Sequence, residues 1–121
     1  IISTGCILGD VLKATELIEK NSPRLIRVVN MPTLKPIDMD MVIHCAEWSK
    51  MLVTVEDHTV VGGLGSAVSD VLAEHEHMPS LYKIGLNDIF PESAPPEDLY
   101  DKYGLSAGEI ARQVLYGLVD K

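Results

Sequence analysis

The sequence is poor in cations and in cysteine, and no apolar run is long. Each shortage excludes something. Ten Lys and Arg stand against eighteen Asp and Glu, a formal net charge of −8. Nucleic-acid binding draws its affinity from clustered cations, so no nucleic-acid partner is expected. Docking on an anionic membrane needs the same cations and is disfavoured with it. Cys6 and Cys45 are isolated and form no C-x-x-C. They make neither a disulfide framework nor a zinc site, so buried thiols in a reducing, cytoplasmic setting are expected. No apolar stretch approaches the ~20 residues of a transmembrane helix. The opening Ile1-Ile2-Ser3-Thr4-Gly5 has no basic region and does not read as a signal peptide. Strand-like from its first position and without an initiator Met, it reads as a piece of something longer.

What is present suits one globular domain over residues 1–121. Apolar residues make up 46 % of the 121, and such a chain buries roughly two-thirds of its unfolded surface. Ile1–Thr4 reads as a buried strand stopped by Gly5. From Asp10, Val11, Leu12, Ala14, Leu17 and Ile18 recur at helical spacing up to Asn21-Ser22-Pro23. Leu25–Met31 is rich in branched residues and predicts a second strand. Asp38 is placed to cap a second helix carrying Met41, Val42, Cys45, Ala46 and Trp48. Met51–Val55 predicts a third strand. Ala67, Val68, Val71 and Leu72 predict a third helix ending near His77, and Leu81–Leu86 a fourth strand.

After a loop holding Pro91, Pro95 and Pro96 comes a short helical turn at Glu97–Lys102. Ser106 and Glu109 then form a capping box for a last helix bearing Ile110, Val114, Leu115 and Leu118. Alternating buried strands and helices imply a three-layer α/β/α fold with a mostly parallel, doubly wound sheet. Its crevice lies beyond the carboxyl ends of the strands.

That edge receives the stretch 54–66, TVEDHTVVGGLGS. The expectation is that Glu56, Asp57 and His58 follow the third strand. Gly62, Gly63, Gly65 and Ser66 then lead into the helix. Helix-start amides can bind an anion, but the spacing is neither G-x-G-x-x-G nor a P-loop, and no Lys follows. A tight turn that lets helix and sheet pack closely is favoured over an anion cradle. Asp57 beside His58 suggests a general base, yet no nucleophile in an elbow context accompanies it. Capping of loop amides by Glu56 or Asp57, and a bond from His58 to a neighbouring strand or subunit, are the stronger expectations. His75 and His77, two apart on a helix, would diverge rather than share a metal. No catalytic, cofactor-binding or metal residue is assigned, and the loop stands as a candidate anion or interface site.

Together these motifs resemble the C-terminal domain of transketolases. The residues that carry the resemblance are Met31-Pro32-Thr33-Leu34-Lys35-Pro36-Ile37-Asp38, Val53–His58 and Gly62–Ser66. They are joined by Ile84-Gly85-Leu86-Asn87-Asp88-Ile89-Phe90, Glu92-Ser93 and Lys102-Tyr103-Gly104-Leu105-Ser106. The domain is shared by 1-deoxyxylulose-5-phosphate synthases and 2-oxoacid dehydrogenase β subunits. The former place His-Gly where this chain has Glu92-Ser93-Ala94, and the latter lack the Tyr-Gly-Leu-Ser helix start. Ala94 stands where a transketolase would have Gly. The resemblance implies part of an enzyme that moves a two-carbon ketol unit with thiamine diphosphate and a divalent cation. It also implies that this domain alone binds neither and is inactive. Upstream thiamine-binding domains, or a separate subunit carrying them, are the implied partners, in a homo-oligomer. An antiparallel strand upstream of Ile1 would cover an otherwise open sheet edge.

Overall fold

A computed structural model describes residues 1–119. Four parallel strands, β1 (Ile2–Ser3), β2 (Val29–Asn30), β3 (Met51–Thr59) and β4 (Ser80–Leu86), form one sheet in the order β2-β1-β3-β4. The helices are α1 (Leu8–Asn21), α2 (Met39–Glu47), α3 (Leu64–Ala73), α4 (Pro96–Lys102) and α5 (Ala107–Gly117), with a 3-10 turn at Gly5–Ile7.

Side chains alternate across a strand, and that alternation divides the core. Val53, Val55 and Ile84 pack with Ile7, Val11, Ala14 and Ile18 of α1 and Ile110, Ala111 and Val114 of α5. Ile2 and Leu52 face the other way, onto Val42 and Ala46 of α2 and Val68, Val71 and Leu72 of α3. Helices therefore cover both faces, which a parallel sheet of buried strands requires. Asp38 caps α2, its Oδ1 accepting from the Met41 amide at 2.9 Å.

Several expectations are corrected. The second strand shrinks to Val29–Asn30, where Val29 donates to the Ile1 carbonyl and Met31 to the Ser3 carbonyl at 2.8 Å each. Ile26 instead donates to Glu19 Oε1, and Leu25 is 81 % exposed. β3 runs on through Glu56, Asp57 and His58 to Thr59, so the trio lies inside the strand and not after it. The ladder with β4 continues from Val55 to Thr59 across a register shift. α3 starts within the glycine run and ends at Ala73. His75 and His77 therefore lie beyond the helix, and His77 has a left-handed φ of 61°.

The Ser106–Glu109 capping box does not form: no side chain caps α5, and Glu109 pairs with Arg112 at 2.7 Å. Trp48 leaves the apolar face of α2 and is 67 % exposed, its ring 5.3 Å from the Arg27 guanidinium carbon. Cys6 is exposed and Cys45 half-buried, both free, against the expected burial.

Candidate functional site

In the order β2-β1-β3-β4 the chain reverses direction across the sheet between β1 and β3. The crevice of a doubly wound fold lies beyond the carboxyl ends of those two strands. It is bounded here by Thr4-Gly5 after β1 and by Glu56-Asp57-His58 at the end of β3.

Glu56 shares the face of Leu52 and Thr54, toward α3, and is fully buried (0 % exposed). Its Oε2 accepts from the Leu64 amide at 2.7 Å and its Oε1 from the Gly65 amide at 3.0 Å. Those are the first two residues of α3, whose N-cap, Gly63, has no side chain to supply. The strand thus caps the helix with a carboxylate, where the free amides and the macrodipole favour negative charge. His58, two residues on and on the same face, places Nδ1 3.0 Å from Glu56 Oε2.

Glycines make room for this carboxylate. A Cβ at Gly63 would stand 2.1 Å from Glu56 Oε2 and 2.8 Å from the Thr59 carbonyl oxygen. One at Gly85, on β4, would stand 3.0 Å from Glu56 Cγ. Two further loop groups, the Gly62 amide and the Ser66 hydroxyl, are also engaged within the chain. Gly62, at φ +75°, donates to Ser66 Oγ at 2.9 Å, and Ser66 Oγ donates to the Val60 carbonyl at 3.0 Å.

Asp57 points to the opposite face. Its Oδ2 accepts from the Tyr100 hydroxyl of α4 at 3.0 Å, and a Cβ at Gly5 would lie 3.4 Å from its Oδ1. Burial first, and then the Asp57 carboxylate, push the Tyr100 phenol up to about 12. Asp57 and His58, adjacent in sequence, are therefore separated by the sheet, and the structure joins His58 to Glu56 instead. Tyr100, Gly85 and Gly5 escaped notice as site residues. A glycine inside a strand signals close approach, so Gly85 was detectable in principle; Tyr100 sits in an unremarkable acidic turn.

Among the described residues, no group of three or more His, Cys, Asp or Glu side chains is placed to hold a metal ion. His75 Nδ1 lies 2.9 Å from the Val71 carbonyl oxygen, and His77 is exposed. No helix among the described residues is long and apolar enough to cross a membrane. Two grooves, of about 380 and 440 Å³, lie at the other end of the strands. They share Ile1, Arg27, Trp48 and Ser49.

Thiamine diphosphate does not fit the crevice as built. A diphosphate would need free amides and a cation held by side chains, and the amides of Leu64 and Gly65 are bonded to Glu56.

Residues 1–110 match the family model described as transketolase, C-terminal domain. The chain is 36 % identical to a "Putative transketolase C-terminal section" of Methanocaldococcus jannaschii, over 95 % of this chain and 35 % of that protein. It is 32 % identical to a 1-deoxy-D-xylulose-5-phosphate synthase of a Synechococcus strain, over 94 % of this chain and 17 % of that protein. A solved structure titled "Split gene transketolase, inactive beta4 tetramer" superposes with a TM-score of 0.87 at 39 % identity, over 97 % of this chain and 38 % of that one. The chain spans about a third or less of the length of these relatives. It belongs to the transketolase C-terminal domain family.

Proposed function

We propose that this chain is the non-catalytic C-terminal section of a transketolase-like enzyme, which transfers a two-carbon ketol unit between sugar phosphates. Its work is to assemble subunits and to orient the catalytic section. Thiamine diphosphate and its divalent cation belong to that other section, whether fused to this chain or separate from it. The whole is a cytoplasmic homo-oligomer.

The observation that carries this reading is the internal capping of α3 by Glu56. Two of the amides a phosphoryl group would seek, those of Leu64 and Gly65, are already bonded to a buried carboxylate, which supports a crevice that serves the fold. The test is calorimetry of the isolated chain with thiamine diphosphate and Mg²⁺, alongside a coupled ketol-transfer assay. No binding heat and no turnover are expected, and micromolar affinity or turnover by the chain alone would overturn the proposal.

Two other readings keep a specific motive. His58, 44 % exposed beside the glycine turn, could help the Glu56–Ser66 loop hold a small anion or effector. Phosphate would then bind the isolated chain and lose affinity in His58→Ala. The deoxyxylulose-phosphate synthase relatives motivate the corresponding section of such a synthase, or of a 2-oxoacid dehydrogenase β subunit. Assaying the assembled enzyme for each activity decides between them.

A further inference from the structure

The carboxyl end of the sheet also carries an exposed apolar group that the crevice does not explain. Phe90 is completely exposed (104 %), Ile89 is 42 % exposed, and Val61 is 64 % exposed on the adjoining loop after β3. Val60 donates to the Leu86 carbonyl at 3.0 Å, which ties that loop to the end of β4 just before Phe90. A freely moving loop would lose much affinity in ordering a phenyl ring, but this segment is restrained. Pro91, Pro95 and Pro96 stiffen it. Glu92 clips it to α4, accepting from Lys102 Nζ and from the Tyr103 hydroxyl at 2.6 Å.

The surroundings are acidic. Asp88, Glu92, Glu97, Asp98 and Asp101 fall within fourteen residues, and Lys102, paired with Glu92, is the neighbouring cation. The chain's relatives are roughly three times its length, so a large protein surface is available within such enzymes. Ile1 immediately precedes β1, at the opposite end of the sheet. A residue entering the domain there does not thereby reach Phe90.

We infer that the 87–96 loop is a docking finger. Phe90 enters an apolar socket rimmed by Lys and Arg on the thiamine-diphosphate-binding section of the same enzyme. The inference rests on the assembly reading above and names the contact it uses. Charge complementarity selects the rim, because the exposed carboxylates of Asp88, Glu97, Asp98 and Asp101 near Phe90 in the chain would oppose association with an acidic surface. Burial of an aromatic ring supplies the affinity, as anchors of this type do at interface centres.

The test expresses this chain and the thiamine-diphosphate-binding section as two polypeptides and follows their association by sedimentation velocity at low and high salt. Phe90→Ser should weaken association at least about thirtyfold, with an unchanged melting curve for the chain alone. Reversing Glu97, Asp98 and Asp101 to Lys should weaken association and invert its salt dependence, so that added salt then strengthens binding; an unchanged salt dependence would overturn the basic rim. Wild-type association that survives Phe90→Ser overturns the finger while the assembly reading stands. Absence of association in wild type overturns both. Self-association of this chain alone, lost in Phe90→Ser, would assign the loop to a second copy and overturn the inference.

Discussion

Replacing Glu56 by Gln keeps the shape of the side chain and changes its bonding, so it isolates what the carboxylate does. Glu56 accepts at both oxygens, from Leu64 and Gly65, and His58 Nδ1 lies against Oε2. A Gln has one acceptor oxygen and one NH₂ group. In its better orientation the oxygen keeps Leu64 and His58, and the NH₂ then faces the Gly65 N–H, donor against donor. A buried amide left without a partner costs about 1–3 kcal/mol, and loss of negative charge at a buried helix start costs up to about 2 kcal/mol more. The expected destabilisation is therefore about 2–4 kcal/mol. For a domain of this size that lowers Tm by roughly 8–16 °C. Urea unfolding followed by circular dichroism measures it as a lower midpoint at constant slope. A Glu56→Gln midpoint implying less than about 0.5 kcal/mol of loss would refute the claim that this residue caps α3.

Other perturbations test neighbouring parts of the same account. Gly63→Ala places a methyl 2.1 Å from Glu56 Oε2 and should cost about 2 kcal/mol or more by overpacking. Gly9→Ala, in α1 with nothing within 4 Å of the new Cβ, should stabilise by up to about 1 kcal/mol; paired denaturant curves read both. Hydrogen bonds from Lys102 and Tyr103 lower the Glu92 carboxyl to about 2. Because the folded value is depressed, the clip's contribution to stability is complete above pH 4.5 and is lost as pH falls from there through 2; a carboxyl NMR titration of Glu92 with a midpoint above 4 would contradict it. Burial and Asp57 raise the Tyr100 phenol to about 12. Its contribution is thus complete below pH 10 and lost as pH climbs through 12. In ultraviolet titration, Asp57→Asn should move that ionisation back toward 10.

The order of elements and the two-sided core were legible in the sequence because periodicity reports burial directly. Val11, Ala14 and Ile18 on one helix, and Val68, Val71 and Leu72 on another, lie where their spacing puts them. Boundaries failed where tertiary bonds decide them. β3 extends through Glu56 because a buried carboxylate, ordinarily a signal to leave a strand, is bonded to the α3 amides. β2 shortens because Glu19 accepts from Ile26, a choice no local pattern encodes.

At the site, the possibility that Glu56 caps loop amides was open to sequence reasoning. The pairing was not: adjacency suggested Asp57 with His58, whereas the period of a strand sends residues 57 and 58 to opposite faces and brings 56 and 58 together. The capping box at Ser106 failed because Arg112, one turn on, binds Glu109 instead.

Consecutive residues of one strand thus tie down helices on both sides of the sheet. Glu56 holds the start of α3, and Asp57 holds Tyr100 of α4. A site that binds an anion keeps its donors free until the ligand arrives. Here an incoming phosphate would have to displace a carboxylate already bonded to the Leu64 and Gly65 amides. It would then leave that displaced charge buried beneath Gly63 and Gly85, with His58 as its remaining partner. Expelling Glu56 would leave a buried charge short of partners, which is costly, and its present bonds make the strand a clamp on the start of α3. What the clamp leaves facing outward at that edge is His58, Val61 and Phe90, and the last of these is the anchor of the docking contact inferred above.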